Sequence, residues 1–387
     1  MTTTADAIVI GGGLHGLSAA LQLARRQVKV VLLERSRVGR HSSGASAAGV
    51  RTLNRARAEL KLAIVAMDMW HHMEELVGDN CGFRPYGQLQ LAENDEELQI
   101  LKARVDGLNR DGFTNEEIVS ADEVRSLVPA LAPVYIAAAL ARNDGAADPH
   151  QTLMAFRRAA VEAGVTILEG VGVRSLHREG HVWRASDGSE TFEAPLLVNA
   201  AGAWAGQIAA WAGDDIPIAT KASMMIVTER VAPFIRPTVI SMKRKLSFKQ
   251  SNQGTLLIGG GQQGLPDLEA ERSEVDARLL AKSAAAAISL FPAVKDLRIV
   301  RSWAGLEAKT RDDIAIAGLS PSAPSLMHLF GFSGHGFQLV PALGVATAEL
   351  LLDGRSTVDL SGLQPGRLMA GAKPDKRKVD EHQGVSE

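Results

Sequence analysis

Three glycines spaced Gly11-x-Gly13-x-x-Gly16 follow a short apolar run and open a helical pattern. This spacing suits a ligand that carries phosphate. The first glycine permits a tight turn, the second lets a pyrophosphate approach the backbone, and the third lets the helix pack closely on the strand. Amides at the helix start, around Leu14 and His15, then face the phosphate charge. Glu34 ends a second apolar run 18 residues past Gly16, beside Arg35, where a carboxylate can bond both hydroxyls of a ribose. An acid there disfavours a 2′-phosphate, so FAD or NAD is expected in preference to NADP. The competing reading is a tight turn in an ordinary α/β protein.

Two further segments hold residues suited to a bound ligand. Residues 42–51 are rich in small side chains and hydroxyls, Ser42, Ser43 and Ala45 among them, which let backbone come close and satisfy phosphate or flavin oxygens; a flexible loop is the alternative. Gly331-Phe332-Ser333-Gly334-His335-Gly336-Phe337-Gln338 precedes a helix. It fails as a hydrolase nucleophile turn, because His335 stands where glycine is required. As a flavin element it fits better, since its amides can stabilise negative charge on a reduced ring. A second glycine triplet, Gly259-x-Gly261-x-x-Gly264, reads as a turn region, because Pro266 interrupts it and no acid-ended strand follows. Lys249 and Arg51 are candidates to bind a carboxylate, with surface charge as the alternative. His71-His72 reads as structural, Trp204 with Trp211 as core rather than a substrate cage, and no His, Cys or carboxylate cluster has metal-ligand spacing.

These residues need elements to position them. The strand–turn–helix–strand order over residues 7–35 is a βαβ unit with strands buried on both faces. Helical patterns follow over 57–76 and 95–111, with short strands around 88–91. A helix over 151–163 and strands over 165–168 and 196–199 form a second βαβ-like passage. Residues 224–259 alternate strands and turns as an antiparallel sheet would. A helix is expected over 269–290 and another over 340–352, and the chain beyond Pro365 reads as a polar tail.

The 387 residues suffice for two domains, and 22% charged residues with a net charge of −2 give no global attraction to nucleic acid or anionic membrane. Lys243-Arg244-Lys245 reads as a solvated turn. Cys81, the only cysteine, can form no internal disulfide and hold no iron–sulfur cluster by itself. No segment reaches the roughly 20 apolar residues of a membrane span, and the start of the chain is a poor signal peptide, so a cytoplasmic location is expected.

Together the motifs resemble the D-amino-acid oxidase superfamily of flavoproteins, which includes glycine oxidase, sarcosine oxidases and related amine dehydrogenases. The resemblance covers nearly the whole chain. It rests on residues 8–13, on Leu197-Val198-Asn199-Ala200-Ala201-Gly202-Ala203-Trp204, on Trp303-Ala304-Gly305-Leu306-Glu307 with Thr310-Arg311-Asp312, and on residues 331–338. Glu307, Ser247-Phe248-Lys249-Gln250 and residues 331–339 look most like β-type subunits of opine oxidases and multi-subunit sarcosine oxidases.

The resemblance implies an α/β fold with an α+β second domain: a discontinuous Rossmann-type FAD-binding domain (1–80, 146–217, 300–370) and a smaller substrate domain on an antiparallel sheet (81–145, 218–299), with 371–387 as the tail. It implies FAD contacts from Val173, Ala201, Gly202 and Trp204, and from Gly334, His335, Gly336, Phe337 and Gln338 at the ring. It places His335, Lys249, Glu307 and Arg51 at the reacting centre. Departures are equally informative. Arg311 and Ala315 stand where relatives carry prolines, Glu307 where glycine-oxidase-like members clamp a carboxylate with arginine, and Leu257 where oxidases carry an oxygen-activating lysine. The flavin-bearing cysteine of some relatives falls near Gly305, so covalent attachment by that route is not expected. At Glu307 the pocket is expected to attract a cationic substituent, unless Lys309 or Arg311 neutralises it. The implied reaction is hydride transfer from an amine Cα–H to FAD, with partner subunits of α or γ type carrying further redox centres. The rivals are an NAD-dependent dehydrogenase, a stand-alone oxidase using oxygen, and a flavin-bearing relay subunit without a substrate.

Overall fold

The computed structural model describes residues 2–369; the expected tail at 371–387 lies outside them. Two large sheets carry the architecture. The first has six strands in the order Ile316–Leu319, Leu326–Phe330, Leu196–Asn199, Ala7–Ile10, Val30–Glu34 and Thr166–Glu169, all parallel except the first pair. Both faces are covered, which is why Ala7–Ile10 and Val30–Glu34 are apolar without alternation. Ala7, Val9, Val30 and Leu32 pack against the helices Leu14–Arg25, Pro149–Glu162 and Val340–Asp353. Ile8, Ile10, Val31 and Leu33 pack against Trp183, Phe192 and Leu176 of a four-stranded sheet that the sequence reading missed.

The second sheet has eight strands: Ile299–Lys309, Ala219–Arg230, Thr255–Gly259, Leu246–Gln250, Thr238–Ser241, Gln88–Ala92, Ala137–Ala141 and Glu117–Ser120 in spatial order. All neighbours are antiparallel except Thr238–Ser241 with Gln88–Ala92. Leu89, Leu91, Val239, Phe248, Leu256 and Ile258 face one way, into a core closed by the helix Ala277–Leu290. A strand turns alternate side chains to opposite faces. The intervening residues therefore look the other way, towards the first sheet.

Several expectations need correction. The strand Ile299–Lys309 pairs along its length with Ala219–Arg230, so residues 300–309 lie in the eight-stranded sheet. The helix expected from 269 starts at Ala277, because the Asp276 side chain accepts from the amides of Arg278 and Leu279 and fixes the start there. Residues 265–274 instead form a hairpin, Leu265–Asp267 with Arg272–Glu274. The helical run over 57–76 breaks at His72 into Arg57–His71 and Met73–Val77. Arg244 is no solvated turn residue: it makes two short contacts with the nearly buried carboxylate of Glu93.

Candidate functional site

A cavity runs between the two sheets and has two ends that meet at Leu14, His15, Ser42, Ser43 and Phe332. The first end is made by the glycine turn. Gly11 sits at φ 111°, a left-handed conformation that only glycine adopts without strain, and a Cβ at Gly16 would overlap the Gly11 carbonyl. The turn thus brings the helix Leu14–Arg25 to point its start into the cavity. That helix has no side-chain cap from Gly13 and no acid in its first turn. The Leu14 amide donates to Ser43 Oγ at 3.0 Å.

Glu34 is nearly buried at the end of its strand, accepting from the Gly12 amide at 2.7 Å and the Ser36 amide at 2.8 Å. Burial raises its carboxyl above the ordinary range, and those two amides oppose the shift. Arg35 lies over the Trp204 ring at 4.5 Å and pairs with Glu271 at 2.6 Å. Glu271 stands at the tip of the 265–274 hairpin, a separate two-stranded sheet, and so reaches from it to the end of the first sheet at Arg35. Val173, Ala201 and Gly202 complete this end. Trp204 is therefore a lining residue, while Trp211 packs into the core.

Two observations fit the ADP part of FAD to this end. A helix start with no cap from Gly13 itself, its Leu14 amide on Ser43 Oγ, faces the cavity past Gly13. His15 Nδ1 is buried at that path without a hydrogen-bond partner among the described residues, and burial lowers the ring to about 3, which keeps it neutral.

The second end is floored by the free face of the eight-stranded sheet. Gln88, Gln90, Thr238, Ser247, Lys249, Gly259, Met225, Ser223, Lys221, Gly305 and Glu307 line it at alternate strand positions. Ala45, Arg51 and the turn Gly334, His335, Gly336 and Phe337 form the opposite wall. Of the candidates named from sequence, only Gly16 and Gln338 line neither end. Gln338 is fully buried behind His335. It accepts from Arg55 at 3.1 Å and donates to the Ala63 carbonyl at 2.7 Å, so it holds the turn rather than touching the cavity.

Behind His335 lies a network that sequence reasoning missed. Arg55 and Glu59, both buried, approach His335 Nδ1 at 3.0 and 3.4 Å. Arginine only donates, so Nδ1 accepts and the ring proton sits on Nε2. Burial lowers the His335 pKa to about 3, with Glu59 opposing, so the ring is a neutral donor near pH 7. The pair sits i, i+4 near a helix start and reads in sequence as a surface ion pair; nothing local marks it as buried.

Glu307 is not free to attract a cation. It pairs with Lys221 directly across the strands at 3.4 Å and accepts from Ser223 Oγ. Lys221 also donates to the Ser333 carbonyl at 2.9 Å, tying the sheet to the His335 turn. Lys309 pairs instead with Asp313. Lys249 is buried, donates to the Ala47 carbonyl, and is lowered to about 7 by burial and then by Arg84, with Asp148 opposing. Leu257 stands opposite Lys249 in register, so the two share one face of the sheet. The second glycine cluster also lines this end through Gly259, Gly260 and Gly261. His71 and His72 are exposed, against Phe83 and the Asp68 carbonyl respectively.

The family model described as FAD dependent oxidoreductase (DAO) matches residues 6–350. Sarcosine oxidase subunit beta of Rhodobacter capsulatus is 26% identical, covering 91% of this chain and 86% of that protein. L-proline dehydrogenase from P. horikoshii is 29% identical, with a TM-score of 0.88 over 95% of this chain and 98% of that one. Glycine oxidase from Geobacillus kaustophilus, 22% identical with a TM-score of 0.85 over 94% and 98%, shares the fold.

Proposed function

This chain belongs to the DAO family of FAD-dependent oxidoreductases, and from that premise we propose that it oxidises the C–N bond of an amino acid or secondary amine, sarcosine- or opine-like, as the catalytic β-type subunit of a multi-subunit dehydrogenase or oxidase. One observation carries the chemical reading. The glycine-lined end opens directly into an end walled by His335, Arg51 and Lys249, so a cofactor and an anionic substrate fit end to end. The β-subunit reading draws on the sarcosine oxidase relative, which this chain matches over most of its length.

We assign Glu34 to the ribose, Gly13 with the amides of Leu14 and His15 to the pyrophosphate, and Val173, Ala201, Gly202, Arg35 and Trp204 to the rest of the adenosine end. Ser42, Ser43 and Ala45, with the turn Gly334 to Phe337, border the ring. We place residues 2–80, 146–217 and 310–369 in the cofactor-binding part, and 81–145 with 218–309 in the substrate part. Bound FAD supplies the two-electron acceptor for a hydride. Arg51 and Lys249 hold the substrate carboxylate and orient the Cα–H. The neutral His335 Nε2–H donates where negative charge grows, and the buried Arg55, donating to Nδ1 and itself held by Glu59, fixes that tautomer. Hydride loss from a neutral amine leaves a C=N bond that water hydrolyses, so no strong protein base is needed.

The test is to purify the protein from its native host without over-expression, size it, and assay the isolated chain with a dye acceptor. A larger assembly whose chain oxidises secondary amines with the dye supports the reading. A lone monomer that oxidises glycine in air contradicts the subunit role, and a yellow chain inert to every amine contradicts the catalytic one.

A further inference from the structure

We infer that Asp144 and Glu116 are positioning residues for the reaction: from the substrate part they fix the segment 51–55, which carries Arg51 to the substrate carboxylate and Arg55 to His335. The inference rests on the role given to Arg51 above. Neither acid lines either end of the cavity, so any effect of theirs on a bound ligand passes through other residues.

Segment 51–55 lies between the strand Gly49–Val50 and the helix Arg57–His71 and belongs to neither. Its amides therefore need partners from elsewhere, because a buried backbone group left unpaired is costly. Two carboxylates supply them for three consecutive amides. Asp144 Oδ1 accepts from the Thr52 amide and the Thr52 hydroxyl, each at 2.8 Å, and Oδ2 accepts from the Leu53 amide at 2.8 Å. Glu116 accepts from the Asn54 amide at 2.9 Å. Both acids are themselves held. Asp144 is fully buried, and its carbonyl accepts from the Gly87 amide at 2.7 Å. Glu116 is nearly buried and accepts twice from Arg104, at 2.6 and 2.8 Å, while Arg104 also donates to the Arg55 carbonyl at 3.0 Å. Burial raises the Asp144 carboxyl to about 6, with the Leu53 and Thr52 amides opposing, so at pH 8 it is ionised and accepts at both oxygens.

The carbonyls of the same segment then aim its arginines. Arg51 Nη1 donates to the Leu53 and Asn54 carbonyls at 2.5 and 3.1 Å, and Arg55 Nε donates to the Arg51 carbonyl at 3.2 Å. The turn at Asn54, with φ 56°, brings the Leu53 and Asn54 carbonyls round to that one guanidinium nitrogen. These acceptors are neutral, so the Arg51 charge stays available to a ligand in the substrate end, whose wall it helps to form. Arg55 reaches His335 Nδ1 at 3.0 Å from the same segment. Residues of the substrate part thus set two side chains that the cofactor part contributes to the reacting centre.

The experiment is a double-mutant cycle on the FAD-loaded protein at pH 8. The probe is methylthioacetate, a carboxylate with a thioether in place of the amine, titrated by flavin absorbance shift. Asp144→Asn keeps the shape of the side chain but turns one acceptor into a donor facing an amide of the segment. It should retain FAD and weaken the probe by about ten-fold or more, yet add less than about two-fold in an Arg51→Met background. Where Asp144→Asn does not fold, Glu116→Gln is expected to show the same dependence on Arg51, with about a three-fold loss in the unaltered background. An equal loss in both backgrounds, no loss from either acid, or full affinity in Arg51→Met alone would overturn the inference. Anaerobic bleaching by N-methylglycine separates this from the proposed oxidation. No bleaching, with the cycle non-additive, defeats the oxidation and leaves the positioning role standing. Normal bleaching with additive losses does the reverse.

Discussion

One cavity has two ends made of different material. At the cofactor end the glycine turn, the start of the Leu14–Arg25 helix and residues 201–202 bring backbone to the cavity, with the Glu34 carboxylate held by two amides. At the substrate end it is mostly side chains from alternate positions of a sheet, with a surplus of cations. A backbone surface recognises what every dinucleotide shares and tolerates no added atoms. A side-chain surface sets which substrate enters and can be rewritten one residue at a time without disturbing the fold.

The largest effect is therefore expected from adding bulk to the backbone end. Gly13 has ordinary φ and its nearest side-chain neighbour is Ser43 Oγ, so valine there blocks the pyrophosphate path without straining the turn. Gly13→Val should yield a folded, colourless protein, read by circular dichroism and flavin absorbance; full flavin content would break the assignment. Glu34→Ala comes next. Leaving ribose hydroxyls and the Gly12 and Ser36 amides without their acceptor should cost about 1.5–3 kcal/mol of FAD affinity, measured by reconstitution titration.

At the other end, Lys249→Met should retain FAD yet raise KM for amino acids by about ten-fold or more, the cost of losing one charge-assisted contact. The Lys249 ammonium, lowered to about 7 by burial, is charged below that pH. Carboxylate affinity should consequently fall as pH rises through 7, and Lys249→Arg should flatten the profile. If Lys249→Met strips the flavin while KM holds steady, the division between the ends is wrong. Smallest is the clasp of the 265–274 hairpin on the first sheet. The Glu271–Arg35 pair is about a third exposed on each side, so Glu271→Gln should weaken FAD retention by only about 0.2–1 kcal/mol. That loss should shrink in high salt, followed by flavin fluorescence on release.

The contrast also explains which parts could be read from sequence. Gly11, Gly13, Gly16 and Glu34 lie within one βαβ unit, so their spacing alone places them. The substrate floor depends on strand register between residues 88 and 309, which no local pattern records: Lys221 meets Glu307 only because of cross-strand pairing, and Arg244 meets Glu93 from far along the chain. Arg55 and Glu59 were invisible because burial, not spacing, sets their role. The late start of the Ala277–Leu290 helix was legible in principle, since Asp276 is a strong cap signal that apolar periodicity outweighed.

The central claim is that an amine Cα–H at the side-chain end reacts with FAD held at the backbone end. Its most direct test is anaerobic stopped-flow bleaching of the flavin by a secondary amino acid, with hydrogen or deuterium at Cα. The account predicts bleaching, a slower rate with deuterium, and release of the corresponding oxo acid and amine. A flavin that stays oxidised with every amine offered, while dithionite reduces it normally, would contradict it.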